Sequence, residues 1–135
     1  MRIGRVVLML VGILTFSLLV GGCKSDELIE SGLTSITLNQ ALANGKPTLA
    51  EFGRGTCIPC KEMKPILESL AVEYQDRLNV PIVNVDEYRE LTSYYKVMAI
   101  PTQIGFDSTG TEIFRHVGFW QKDKIIAQLS ELGIN

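Results

Sequence analysis

Between Thr48 and Tyr74 the chain changes periodicity once, and two cysteines mark the change. Thr48-Leu49-Ala50-Glu51-Phe52 reads as an apolar strand, which Gly53 and Gly55 break just before Thr56-Cys57. Met63, Ile66, Leu67, Leu70 and Tyr74 then recur at helical spacing, with Lys61, Glu62, Lys64, Glu68 and Glu73 on the other faces. A strand therefore hands over to a helix at Cys57-Ile58-Pro59-Cys60, and the two thiols sit one turn apart. Free N–H groups and the dipole at a helix N-terminus stabilise a thiolate. Cys57 is placed to attack a disulfide, and Cys60, one turn inside and less accessible, to resolve the mixed disulfide that forms. Pro59 fits the first turn, where its missing N–H costs nothing, while Pro65 is expected to kink the helix. Far along the chain, Ile100-Pro101-Thr102 supplies a proline suited to closing a substrate site over the thiols.

The CxxC spacing also occurs in zinc sites and structural disulfides. Zinc fails on arithmetic: three cysteines and one histidine, His116, include no second CxxC and no HxxxH to complete four ligands. A purely structural disulfide stays open, although a loop this short removes little entropy from the unfolded chain.

The remaining pattern is α/β. A short strand is expected at 33–36, a short helix from Leu38 to Ala43 stopped by Gly45, and the first central strand at Thr48–Phe52. The cysteine-bearing helix spans 58–75, a second apolar strand runs from Val80 to Val85, and a short helix covers 88–96. Thr102–Phe106 and Glu112–Val117 are strands joined by a turn at Asp107-Ser108-Thr109-Gly110. Ile125, Ile126, Leu129 and Leu132 stripe a last helix that Gly133 ends. Such an order implies a central mixed sheet with helices on both faces.

Residues 1–22 read as a leader: Arg2 and Arg5 precede an apolar run from Val6 to Val20 that is short for a spanning helix. Val20-Gly21-Gly22-Cys23 resembles a bacterial lipobox, which implies cleavage before Cys23 and a lipid on its thiol; an uncleaved signal anchor is the alternative. Residues 23–32 then form a lipidated, polar tether and residues 33–135 a single domain. In either case the domain is exported. Without Arg2 and Arg5 the chain has 11 basic residues against 15 acidic ones, a net charge of about −4 that argues against nucleic acid.

The segment from Pro47 to Pro65 (PTLAEFGRGTCIPCKEMKP) resembles the active-site segment of the thioredoxin family. Met98-Ala99-Ile100-Pro101-Thr102 resembles its cis-proline loop, and Val117-Gly118 its last conserved loop, so the likeness runs from about Leu33 to Leu132. It implies a thioredoxin fold, Cys57 as attacking thiolate and Cys60 as resolving thiol, with no cofactor beyond their disulfide. It also implies a cis Pro101 whose neighbours Ile100 and Thr102 offer backbone groups to an extended substrate, beside Thr56, Ile58, Pro59 and Gly118. Glu51 falls where the family carries a buried acid that helps deprotonate the resolving cysteine; the alternative is a solvated strand carboxylate. Three positions depart from the pattern: Thr56 replaces a tryptophan, Ile58 a glycine, and Ile82 the lysine that often partners the acid.

The resemblance implies a protein-disulfide reductase, since Ile100 before the proline is similar to the reducing members. As an exported protein it would take electrons from a membrane-embedded dithiol donor and act on oxidised envelope proteins or apocytochromes. A monomer is the default. An envelope oxidase or isomerase is the first alternative. A copper carrier using Cys57, Cys60 and His116 is the second, although such proteins usually space their cysteines further apart. Phe119-Trp120 is read either as a partner contact or as core, and Tyr94-Tyr95 as helix core and rim.

Overall fold

Every residue of Thr48–Gly53 is buried, and this run forms β1, a central strand. A strand covered on both faces needs apolar side chains on both, which is why Thr48 to Phe52 does not alternate strictly. The computed structural model describes residue 34 and residues 36–135. In chain order, α1 (Leu38–Ala43) precedes β1; α2 (Ile58–Glu73), β2 (Ile82–Asn84), α3 (Arg89–Tyr94), β3 (Thr102–Phe106), β4 (Glu112–Val117) and α4 (Lys122–Glu131) follow. The sheet order is β2-β1-β3-β4. β2 runs parallel to β1, as the α2 crossover allows, while β1–β3 and β3–β4 are antiparallel.

Strand parity sorts the core into two layers. Leu49 packs with Met63, Leu67 and Leu70 of α2 and with Ile125 and Leu129 of α4. Ala50 and Phe52 belong to the other layer, with Leu38, Val83, Ile104 and Phe106. Tyr95 closes that second layer with its ring 5.8 Å from Phe52 and 5.3 Å from Phe106, while Tyr94 is exposed. Truncating a fully buried leucine such as Leu67 to alanine in a core of this kind costs about 2–5 kcal/mol. Gly105, opposite both Leu49 and Phe114, leaves the space that the Phe114 ring fills; a Cβ there would collide with it.

Most expected elements lie within a residue or two of their predicted bounds, with two instructive differences. Thr34 is helical and Ile36 lies in a bend, so neither of these described residues is in the strand expected at 33–36. The second strand shrinks from Val80–Val85 to Ile82–Asn84. Pro81 has no N–H for the ladder, and although its carbonyl accepts from Glu51 N at 3.0 Å, only an isolated bridge, Thr48 to Asn79, lies before it. Buried Asn79 compensates: its amide donates to the Ala41 carbonyl at 3.0 Å and to Thr48 Oγ1 at 3.2 Å, and pairs reciprocally with Asn44. Helix α2 continues through Pro65, whose position is exposed, so the carbonyl it leaves unpaired lies on the wet side of the helix.

The last turn of α2 is tied to the start of α4. Lys122 Nζ donates to Ser69 Oγ at 2.7 Å and pairs with Glu73. In the β3–β4 turn, Asp107 accepts from Thr109 N at 2.8 Å, Thr111 N at 3.0 Å and the Thr109 hydroxyl at 2.6 Å. These donors, the Thr109 hydroxyl first, hold its carboxyl below the ordinary range. Gly110 takes the left-handed φ of 82° that this turn requires. The expected leader, lipobox cysteine and tether lie outside the described residues.

Candidate active site

Cys57 is the N-cap of α2: its backbone is extended, and its Sγ accepts from Cys60 N at 3.3 Å. The cap places sulfur where a helix offers unpaired donors. Cys57 and Cys60 form a disulfide with Cα atoms 5.3 Å apart. The pair is asymmetric. Cys60 is buried at 6% exposure, whereas Cys57 is half-buried and flanked by exposed Thr56 and by Ile58 at 71%. Pro59 lies in the first turn, as its missing N–H allows.

A second wall rises from the adjacent strands. Phe52 pairs with Thr102 and Thr102 with Val117, so the end of β1, the start of β3 and the end of β4 meet at one edge of the sheet. The Ile100–Pro101 peptide is cis. Thr102 Oγ1 donates to the Ala99 carbonyl at 2.7 Å, fixing the loop, and Gly118 N donates to the Pro101 carbonyl at 2.8 Å. Gly118 has φ 101°, a conformation that favours glycine and turns the chain away after β4. The rim is apolar: Met98 is 93% exposed and Phe119 44%, with Val117 also exposed.

Below the disulfide, Glu51 is only 2% exposed, which excludes the solvated-strand reading. Burial pushes its pKa from 4.5 up to about 7. The direction follows from desolvation, which disfavours the charged form. Glu51 follows the parity of Leu49 and faces α2. Gly53 permits its approach to the thiols: a Cβ there would lie 3.0 Å from Glu51 Oε1 and 3.2 Å from Cys60 Sγ. Glu51, Gly53 and Cys60 line a cavity of 230 Å³ with Lys61, Lys64 and Ile82. Ile82 is Glu51's register partner on β2, and among the described residues no cation pairs with the acid.

One residue here escaped the sequence reading. Gln103 is fully buried in β3 directly opposite Glu51, and its Oε1 and Nε2 lack partners, as does Glu51 Oε1. The signal was present, since a glutamine precedes the apolar Ile104-Gly105-Phe106 run inside the expected strand. His116 continues the row on β4. It stacks on Trp120 at 4.4 Å, and its Nε2 lies 3.3 Å from the Phe119 carbonyl. Trp120 belongs with the α2 layer, its backbone N–H donating to Met63 Sδ at 3.2 Å, so of the Phe119–Trp120 pair only Phe119 is exposed. Among the described residues no three His, Cys, Asp or Glu side chains gather as metal ligands, so the copper reading of Cys57, Cys60 and His116 gains no support. Cys23 lies outside the described residues.

The thioredoxin family model matches residues 31–131 of the chain. A thioredoxin from Alicyclobacillus acidocaldarius subsp. acidocaldarius is 37% identical over 100 residues, which cover 74% of this chain and 94% of that protein. The thiol:disulfide interchange protein TxlA homolog of Synechocystis sp. is 38% identical over 86 residues, 62% of this chain and 48% of its own length. Among solved structures, a mutant thioredoxin from Halobacterium salinarum NRC-1 aligns with a TM-score of 0.64 at 28% identity, covering 76% of this chain and 88% of its own.

Proposed function

This chain belongs to the thioredoxin family and is a thiol–disulfide oxidoreductase, and from that premise we propose that it is a membrane-tethered reductase of disulfides in exported proteins. The observation that carries the reading is the asymmetry of the thiols, Cys57 half-buried at a helix N-cap and Cys60 buried beside Glu51.

In the dithiol form, the Cys57 thiolate attacks one sulfur of a substrate disulfide, and the electron pair leaves on the other substrate sulfur, which takes up a proton. Glu51 accepts the Cys60 proton. The Cys60 thiolate then attacks Cys57 Sγ, releasing the second substrate thiolate and closing the Cys57–Cys60 disulfide. A carboxyl group with a pKa of about 7 suits proton exchange near neutrality. Backbone groups of Ile100 and Thr102 align an extended substrate beside Pro101, and Thr56, Ile58, Pro59 and Gly118 border it. The exposed side chains of Ile58, Met98, Val117 and Phe119 fit apolar stretches of an incompletely folded polypeptide. A membrane-embedded dithiol donor restores Cys57 and Cys60, and a lipid on Cys23 holds the domain at the envelope face of the membrane.

The reading is tested by equilibrating the protein with defined thiol buffers. A potential below roughly −230 mV supports a reductase; one above roughly −180 mV assigns it to the oxidases and isomerases. Cys23→Ser is expected to release the protein from the membrane fraction, and retention would remove the lipid anchor from the proposal.

A further inference from the structure

Among the described residues three buried polar atoms lack hydrogen-bond partners, Glu51 Oε1, Gln103 Oε1 and Gln103 Nε2, and they belong to residues facing each other across β1 and β3. Directly opposed residues of an antiparallel pair project to the same face, with Cβ atoms roughly 4.5–5.5 Å apart. That face is the one under α2, where Glu51 Oε1 and Cys60 Sγ both crowd the place a Cβ of residue 53 would take. An orphaned buried donor or acceptor is costly. Here, one hydrogen bond from Gln103 Nε2 to Glu51 Oε1 would satisfy two of the three atoms.

We propose that Gln103 is a positioning residue for the dithiol chemistry, its carboxamide holding the Glu51 carboxyl group in place for proton exchange with Cys60. The inference rests on the proposed role of Glu51 and names the group that supports it where Ile82 offers no charge. A carboxamide suits the task in both protonation states. Its N–H₂ donates to the carboxylate, and its carbonyl accepts from the carboxylic acid, so Glu51 keeps a partner whichever way the proton moves. Other groups facing Glu51 act at the edge of its cavity: Lys61 and Lys64 from α2, both exposed, and Arg54 after β1, already paired with Asp86 at 3.3 Å. From β2 the neighbours are Ile82 and Asn84, which carry no charge. His116 lies one strand beyond Gln103.

Gln103→Leu keeps a similar volume and removes both hydrogen-bonding groups. The experiment follows the Glu51 carboxyl band by infrared difference spectroscopy on the intact protein, alongside the pH profile of disulfide reduction. Without its donor, the ionised form of Glu51 loses a charge-assisted bond, so the carboxyl midpoint is expected to rise by about one pH unit. The pH profile should move with it, while the Cys57–Cys60 disulfide still forms. Gln103→Met carries the same expectation if the leucine variant does not fold. Glu51→Gln separates the two layers of the argument. If it abolishes the pH dependence while Gln103→Leu leaves the carboxyl midpoint unmoved, Glu51 keeps its role and that of Gln103 is overturned. If Glu51→Gln leaves the pH profile intact, both roles fall.

Discussion

Replacing Glu51 with glutamine tests the energetics of the site through stability rather than catalysis. In the unfolded chain this carboxyl titrates at 4.5, and in the folded protein at about 7. Between those values the folded state binds more protons than the unfolded state, so stability falls as pH rises through the window and levels off above it. At about 1.4 kcal/mol for each tenfold change in proton affinity, the rise from 4.5 to about 7 corresponds to about 3 kcal/mol. Glutamine has nearly the same shape and stays neutral, so the variant lacks this slope, while every other titrating group cancels in the comparison. Urea unfolding of the oxidised protein and of Glu51→Gln, measured from pH 4 to pH 8, should show the variant gaining about 3 kcal/mol relative to the parent across that range. The reference at low pH absorbs any fixed cost of the buried amide. Two stability curves that run parallel throughout would refute the reasoning, because they would mean that Glu51 titrates alike in the folded and unfolded chain.

Cys60→Ser is expected to accumulate mixed disulfides through Cys57, visible on non-reducing gels and absent from Cys57→Ser; trapping by Cys57→Ser alone would reverse the assigned order of attack, and equal trapping by both would abolish it. Gly105→Ala forces the Phe114 ring out of its place over β3 and should cost about 1–3 kcal/mol in urea unfolding. A neutral result would show that the ring has room to move. Exchanging Met98 for Gln and Phe119 for Ser strips apolar surface from the rim. The pair is expected to raise KM for a protein disulfide several-fold while leaving reduction of a small disulfide unchanged; equal losses on both substrates would place these side chains outside substrate contact.

What the sequence could reveal followed the range of its signals. The joint at Cys57 was legible because strand, glycine break and helix are local patterns, and the structure sets Cys57 at the N-cap within that span. The hairpin at Asp107 was legible for the same reason. The second strand was overdrawn because hydrophobicity alone marks Val80 to Val85, while Pro81 limits the ladder through a missing donor. Burial of Glu51 was open from sequence, since it depends on α2 and β3 closing over it. Gln103 was missed because its importance lies in register: residues 51, 103 and 116 become neighbours only when three strands pair. Met98 is legible in the sequence only as part of the loop before Pro101, because its near-complete exposure is a property of the folded surface.

The unequal burial of the two sulfurs also sets a clock. Once a client is bound covalently through Cys57, Cys60, which is 6% exposed, is shielded from disulfides in solution but held one turn from the Cys57 sulfur, so release by Cys60 is timed within the molecule. On the proposed role of Glu51, that timing is coupled to the proton occupancy of one carboxyl group whose midpoint lies near neutrality. Under acid conditions Glu51 is already protonated and cannot take the proton from Cys60, so client conjugates should live longer; in alkali they should turn over faster. The dwell time of a client thereby becomes a readout of the pH around the domain wherever Cys60 reaches the Cys57 sulfur before an outside thiol does.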